Sequence, residues 1–67
     1  MPLITVELLP GRSVEQKRAY VAEVTRLTCD ILKCPPEAVR VRLSEMQPED
    51  YAIGGVLYVD KQAPPSV

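Results

Sequence analysis

The chain has 67 residues, 46% of them hydrophobic, and a formal net charge of −1 that comes from 8 basic and 9 acidic side chains. This length allows one domain, and the mixed charges form no basic stripe of the kind that binds nucleic acid. No apolar run approaches the roughly 20 residues of a membrane span, and the N-terminus lacks the features of a signal peptide. We therefore expect a cytoplasmic protein that binds neither nucleic acid nor membrane.

The first predicted element is a strand over residues 3–9, where β-branched and aliphatic side chains dominate. A proline-glycine turn follows, and Ser13 with Gln16 has the spacing of a helix capping box. The next residues carry an apolar stripe at helical spacing, made of Tyr20, Val21, Val24, Leu27, Thr28 and Ile31. The helix has to end before Pro35, because residues that precede proline are disfavoured in the helical region. These signals predict a helix over residues 14–33.

A second strand is predicted over residues 39–46, where apolar and polar residues alternate. Its apolar side carries Val39, Val41 and Leu43, and its polar side carries Arg40, Arg42 and Ser44. A strand, a helix and a strand in this order form a β-α-β unit with parallel strands and a right-handed crossover. Farther on, Gly54 and Gly55 separate two short apolar stretches, which is typical of a hairpin. The sequence predicts an α+β fold: one β-α-β unit with a C-terminal β-hairpin.

We expect one domain over residues 1–62, followed by a loose tail over residues 63–67. One helix can cover only one face of a two-stranded sheet, so the other face and both edges stay exposed. Exposed strand edges and apolar patches normally meet another chain, and small domains often gain stability in this way. Self-association through sheet edges and faces is therefore expected.

The sequence supplies few groups for conventional catalysis. It has no histidine, and the spacing of Cys29 and Cys34 matches no familiar metal or redox motif; we expect these residues to be reduced, partly or wholly buried thiols. Proline at position 2 is tolerated at the start of a strand, where its missing N–H is not required. If Met1 is removed, however, Pro2 becomes a free secondary amine that can act as a general base. The residues alone leave both interpretations open.

Three arginines are the other candidates for chemistry. Arg12 follows the turn after the first strand, and Arg40 and Arg42 share the face of the second strand that points away from the helix. Arginine keeps its charge and binds a carboxylate through two parallel hydrogen bonds. Taken singly, each of these arginines is equally compatible with a solvated or salt-bridged surface position.

Four segments together resemble the 4-oxalocrotonate tautomerase family of the tautomerase superfamily. They are MPLITVELLPGRS at the N-terminus, GRS-x-EQK at 11–17, VRV with the following SEM at 39–46, and IGG at 53–55. The resemblance covers about the first 57 residues without gaps. It implies a tautomerase-like fold and an isomerase that moves a proton by a 1,3 or 1,5 shift within a small unsaturated 2-hydroxy or 2-oxo acid.

The resemblance also implies the roles of individual residues. Pro2 would be the catalytic base, Arg12 would bind a substrate carboxylate, and Arg40 would polarise the 2-oxo group and stabilise the dienolate. Tyr51 stands where the family has a phenylalanine that lines the site, so its hydroxyl either contacts the substrate or makes the pocket wetter. The resemblance further implies a homohexamer, a trimer of dimers whose sites draw residues from neighbouring subunits. Neither a metal nor an organic cofactor is expected.

The amine chemistry agrees with these roles. An α-amino group has an ordinary pKa of about 7.7–8.0, and a secondary amine starts higher. An apolar pocket and nearby guanidinium groups both disfavour the protonated form, and a general base works best when it is neutral near the operating pH. Two alternatives remain open from the sequence. One is a hydratase or dehalogenase on the same fold, and the other is a non-catalytic oligomeric module if Met1 is retained.

Overall fold

The computed structural model describes residues 1–61 and contains the β-α-β unit that the sequence predicts. Strand β1 spans Leu3–Leu8, helix α1 spans Val14–Leu32, and strand β2 spans Arg40–Glu45. The three predicted elements are confirmed, each being one residue shorter at one or both ends than expected. The predicted loose tail over residues 63–67 lies outside the described residues.

Strands β1 and β2 form a two-stranded parallel sheet, as predicted. Leu3 pairs with Arg40 at one end of the sheet and Leu8 pairs with Glu45 at the other. The residues that face α1 are half-buried and alternate with exposed residues along both strands. The half-buried set is Ile4, Val6, Leu8, Val41 and Leu43; Ser44 is also half-buried, although alternation places it on the other face. The alternation places Arg40 and Arg42 on the sheet face that α1 leaves open.

Local hydrogen bonds define both ends of α1. At the start, the Gln16 N–H donates to Ser13 Oγ at 3.1 Å, and the Ser13 N–H donates to Gln16 Oε1 at 2.9 Å, which confirms the capping box. At the end, Lys33 adopts a left-handed conformation with φ 57° and ψ 56°, and its N–H donates to the Cys29 carbonyl oxygen at 3.0 Å. The helix therefore ends at Leu32 and does not include residue 33. Over residues 1–61, no helix has the length and hydrophobicity needed to cross a bilayer.

The predicted hairpin is present. Strand β3 spans Ala52–Ile53 and pairs antiparallel with β4, which spans Val56–Leu57. Gly54 and Gly55 connect them with φ values of 62° and 88°, and a type I′ turn needs positive φ at both of these positions. Between β2 and β3 the chain forms a single 3₁₀ turn over Pro48–Asp50.

The apolar layer of a single chain is thin and incomplete. No hydrophobic side chain within the described residues 1–61 is fully buried. The predicted helical stripe is divided: Val21, Val24 and Thr28 are half-buried, whereas Tyr20, Leu27 and Ile31 are 45%, 49% and 64% exposed. The radius of gyration is 15.1 Å, compared with roughly 11 Å for a compact domain of this length. The single chain therefore leaves apolar surface that its own elements do not cover.

Candidate active site

Pro2 and Arg40 are brought together by the pairing of the two parallel strands. Pro2 is half-buried and immediately precedes β1. The Arg40 N–H donates to the Pro2 carbonyl oxygen at 3.0 Å. The first residue of β2 therefore lies beside the residue that the sequence identifies as the candidate base.

The side chain of Arg40 extends over the N-terminal residue. Its Nε donates to the sulfur of Met1 at 3.3 Å, and Met1 is 84% exposed. If Met1 is removed, the Arg40 guanidinium can therefore reach a small molecule that occupies the former position of Met1 next to the Pro2 nitrogen. While Met1 is attached, that nitrogen is an amide and has no basic lone pair.

Arg12 lies at the other end of β1. Strand residues advance about 3.3 Å each, so Leu8 is roughly 20 Å along the strand from Pro2. The chain then passes through Gly11, whose φ is 127°, and reaches Arg12 with its side chain exposed. Because of this separation, the described chain does not bring Arg12 and Pro2 into one site. A site that uses both residues has to take them from different copies of the chain.

Arg12 lines a groove between α1 and the sheet. This Arg12 groove has a volume of about 320 Å³ and is lined by Val6, Leu8, Arg12, Gln16, Lys17, Tyr20 and Leu43. Apolar sheet residues form one wall, and the polar groups come from Arg12 in the preceding loop and from the first two turns of the helix. Lys17 Nζ lies 2.7 Å from Glu45 Oε2, so its charge is partly balanced. The groove can hold a small anion with an apolar body.

Of the residues that line the Arg12 groove, the sequence predicts only Arg12 as a site residue. The sequence places Tyr20 on the apolar stripe of the helix and Lys17 in the GRS-x-EQK segment. Lys17 lies four residues after the cap residue Ser13, so the two share one side of the helix. Helical spacing from Ser13 is the signal that could have placed Lys17 next to the loop that carries Arg12.

Tyr51 follows β2 beyond the end of the sheet opposite Pro2. The chain leaves the sheet where the Met46 N–H donates to the Leu8 carbonyl oxygen at 2.9 Å. The Tyr51 ring lies 5.9 Å from that of Tyr58, with 47° between the planes, and the Tyr58 N–H donates to the Tyr51 carbonyl oxygen at 2.7 Å. The Tyr51 side chain is 36% exposed. The hairpin thus holds an aromatic ring that is accessible to another molecule.

The two cysteines are both free and half-buried. Partial burial raises the pKa of the Cys29 thiol above its ordinary value, and the adjacent Cys34 and Glu37 raise it further. Among the described residues, no three or more histidine, cysteine or acidic side chains converge in a way that suits a metal ion.

Comparisons with known proteins agree on one family. A family model described as "Tautomerase enzyme" matches residues 2–61. A "Probable tautomerase" of Listeria monocytogenes is 46% identical over 56 residues, which cover 84% of this chain and 92% of the relative. The crystal structure of a 4-oxalocrotonate tautomerase homologue has a TM-score of 0.86 at 41% identity, over 94% of this chain and 100% of that chain. A heterohexameric 4-oxalocrotonate tautomerase of Chloroflexus aurantiacus has a TM-score of 0.80 at 27% identity, over 90% of this chain and 97% of its own.

Proposed function

This chain belongs to the tautomerase family and is a 4-oxalocrotonate tautomerase-like isomerase, and we propose that Pro2 is its general base. The substrate is a small unsaturated 2-hydroxy or 2-oxo acid, and the reaction is a 1,3 or 1,5 proton shift. The observation that carries this proposal is the 3.0 Å hydrogen bond from the Arg40 N–H to the Pro2 carbonyl oxygen. It fixes an arginine beside the residue whose nitrogen is to accept the proton.

The proposed base requires removal of Met1. Removal of the exposed Met1 leaves the ring nitrogen of Pro2 as a free secondary amine at the start of β1. A nearby guanidinium disfavours the protonated amine, so Arg40 helps to keep the Pro2 nitrogen neutral. The neutral nitrogen takes a proton from the substrate and returns it at a different position, which leaves the enzyme unchanged after each turnover.

The arginines act on the negative charge of the substrate. Proton removal creates a dienolate, and a guanidinium that is already in place stabilises this charge without reorganising. We assign this role to Arg40. Arg12 binds a carboxylate through its planar pair of N–H groups, and the apolar wall of the Arg12 groove, which includes Leu8 and Leu43, contacts the carbon skeleton.

The proposed site is completed by other copies of the chain. Arg12 and Pro2 lie at opposite ends of β1, and the exposed apolar residues Leu27 and Ile31 remain available for contacts between chains. We propose a homohexamer built as a trimer of dimers, in which Arg12 from one chain and Pro2 from another face the same substrate. The exposed ring of Tyr51 supplies an aromatic wall to this shared site. The tautomerase of Chloroflexus aurantiacus, with a closely similar fold, is a heterohexamer, which supports assembly of this fold into six-chain particles.

The state of the N-terminus tests the proposal. Intact-mass measurement of protein purified from its native cell is expected to show a chain that lacks Met1. Acetylation of the Pro2 nitrogen is then expected to abolish turnover of a 2-hydroxydienoate, measured by ultraviolet absorbance. A Pro2→Ala variant keeps a terminal amine and is expected to retain partial activity. Full turnover by the acetylated protein, or by protein that retains Met1, would overturn the assignment of Pro2.

A further inference from the structure

The end of α1 places two cysteines at neighbouring positions of one capping motif. Lys33 is the left-handed residue of that motif, and its N–H donates to the Cys29 carbonyl oxygen at 3.0 Å. At a helix end of this type, two side chains are often in contact. One belongs to the residue that follows the left-handed position, and the other belongs to the residue whose carbonyl accepts the capping hydrogen bond. These two residues are Cys34 and Cys29. The motif therefore favours contact between the side chains of Cys29 and Cys34 across the end of the helix.

Both thiols are partly exposed, and they lie near enough for Cys34 to influence Cys29. Both cysteines are free and half-buried, and the proximity of Cys34 contributes to the raised pKa of Cys29. Cys29 also lines an open groove on the side of α1, together with Ala22, Thr25 and Arg26. A small oxidant can reach Cys29 in this groove, and the half-buried Cys34 just beyond the end of the helix, without unfolding of the helix.

We propose that Cys29 and Cys34 form a reversible disulfide within one chain. A disulfide requires Cα atoms about 4.4–6.8 Å apart, and the backbone at a left-handed helix cap brings these two positions close together. The bond would join the last turn of α1 to the loop that leads into β2. This modification site is independent of the proposed catalytic residues.

The oxidant is a low-molecular-weight disulfide such as oxidised glutathione. Cys34 loses its proton to solvent, and its thiolate attacks one sulfur of the glutathione disulfide, releasing one glutathione thiolate that takes up a proton. Cys29 then loses its proton and attacks the Cys34 sulfur, which releases the second glutathione. Two protein thiols are oxidised to one disulfide while one glutathione disulfide is reduced to two thiols. We assign the first attack to Cys34 because the raised pKa of Cys29 reduces its thiolate fraction.

Mass spectrometry tests this proposal on the full chain. The reduced protein is incubated with oxidised glutathione, its remaining thiols are blocked, and it is unfolded and digested with trypsin. Trypsin cleaves after Lys33, so the disulfide is expected to appear as peptides 27–33 and 34–40 joined together. Treatment with dithiothreitol is expected to separate them. The intact chain is expected to lose the mass of two hydrogen atoms and to run as a single chain on a non-reducing gel.

Single-cysteine variants provide the matched controls. Cys29→Ser is expected to stop with glutathione attached to Cys34, and Cys34→Ser is expected to acquire glutathione on Cys29 more slowly. Circular dichroism checks that both variants keep the helix. A wild-type chain that keeps two attached glutathiones, forms only links between chains, or stays fully reduced would overturn the proposal.

Discussion

The main-chain N–H of Arg40 donates a hydrogen bond to the carbonyl oxygen of Pro2, with 3.0 Å between nitrogen and oxygen. Because this bond belongs to the parallel ladder, the register that pairs Leu3 with Arg40 also sets the distance between the proposed base and its arginine. A shift of one residue would turn the Arg40 side chain to the opposite face of the sheet. The register of the two strands therefore also determines how Arg40 is placed relative to Pro2.

Replacement of Arg40 tests its proposed electrostatic role. Arg40→Ala is expected to lower kcat for a 2-hydroxydienoate by about 10²-fold or more, as loss of one preorganised donor to a developing oxyanion commonly does. Arg42→Ala is the matched control, because Arg42 is exposed on the same strand face two residues farther from Pro2. The control is expected to keep near-normal turnover. Equal activity of Arg40→Ala and the unmodified enzyme would remove Arg40 from the mechanism.

The sequence predicts the local structure well because each element carries its own signal. Alternation of apolar residues defines the two strands, and the pair of Ser13 and Gln16 marks the start of the helix. The adjoining glycines at 54 and 55 mark the hairpin, since each needs a positive φ that other residues rarely adopt. These signals act between near neighbours in the sequence, so they can be identified without knowledge of the tertiary structure.

The groove and the uncovered surface could not be predicted in the same way. Helical spacing places Tyr20, Leu27 and Thr28 on one apolar stripe. Of these three residues, Thr28 is half-buried in the single chain, whereas Tyr20 and Leu27 are exposed. Periodicity shows that a stripe is apolar but not whether its own sheet or another chain covers it. The joining of Lys17 to Arg12 in one groove likewise depends on how the helix lies on the sheet, which is a long-range property.

Replacement of Arg12 tests its role in carboxylate binding. Arg12→Ala is expected to raise KM for a diacid substrate at least tenfold and to change KM for a monoacid little, because only the diacid loses a charged contact. Arg18→Ala is a suitable control, since Arg18 is an exposed residue whose Nη1 pairs with Glu15 Oε2 at 3.1 Å. Steady-state kinetics with both substrates separates these outcomes. A similar rise in KM for diacid and monoacid would exclude a carboxylate-specific role.

The hydroxyl of Tyr51 is expected to affect the protonation of Pro2. Tyr51→Phe keeps the aromatic ring and is expected to make the proposed shared pocket more apolar, which would disfavour the protonated amine and lower its pKa. Because the neutral amine is the proposed base, the acid limb of the kcat/KM profile is expected to move to lower pH. Tyr58→Phe is the control, as it removes the hydroxyl of the other ring in the same pair. An unchanged acid limb in Tyr51→Phe would show that the hydroxyl does not influence the base.

The helix cap is expected to contribute measurable stability. Ser13→Ala removes the oxygen that accepts from the Gln16 N–H, and the loss of such a cap typically lowers the free energy of unfolding by about 1 kcal/mol. Ser13→Asp restores an acceptor and is expected to recover most of the loss. Urea unfolding at a fixed protein concentration measures both changes, because association also affects apparent stability. Equal stability of the Ala and Asp variants would show that the cap oxygen is unimportant.

Assembly is expected to be required for activity, because Pro2 and Arg12 occupy opposite ends of one strand. Light scattering should give a mass several times that of the 7.4 kDa chain. Ile31→Lys introduces a charge at a position whose apolar side chain is 64% exposed in the single chain. The variant is expected to show both a lower particle mass and a lower turnover. Ala22→Lys adds the same charge on the opposite side of α1 and is the control. A monomeric protein with full turnover would contradict a site that is shared between chains.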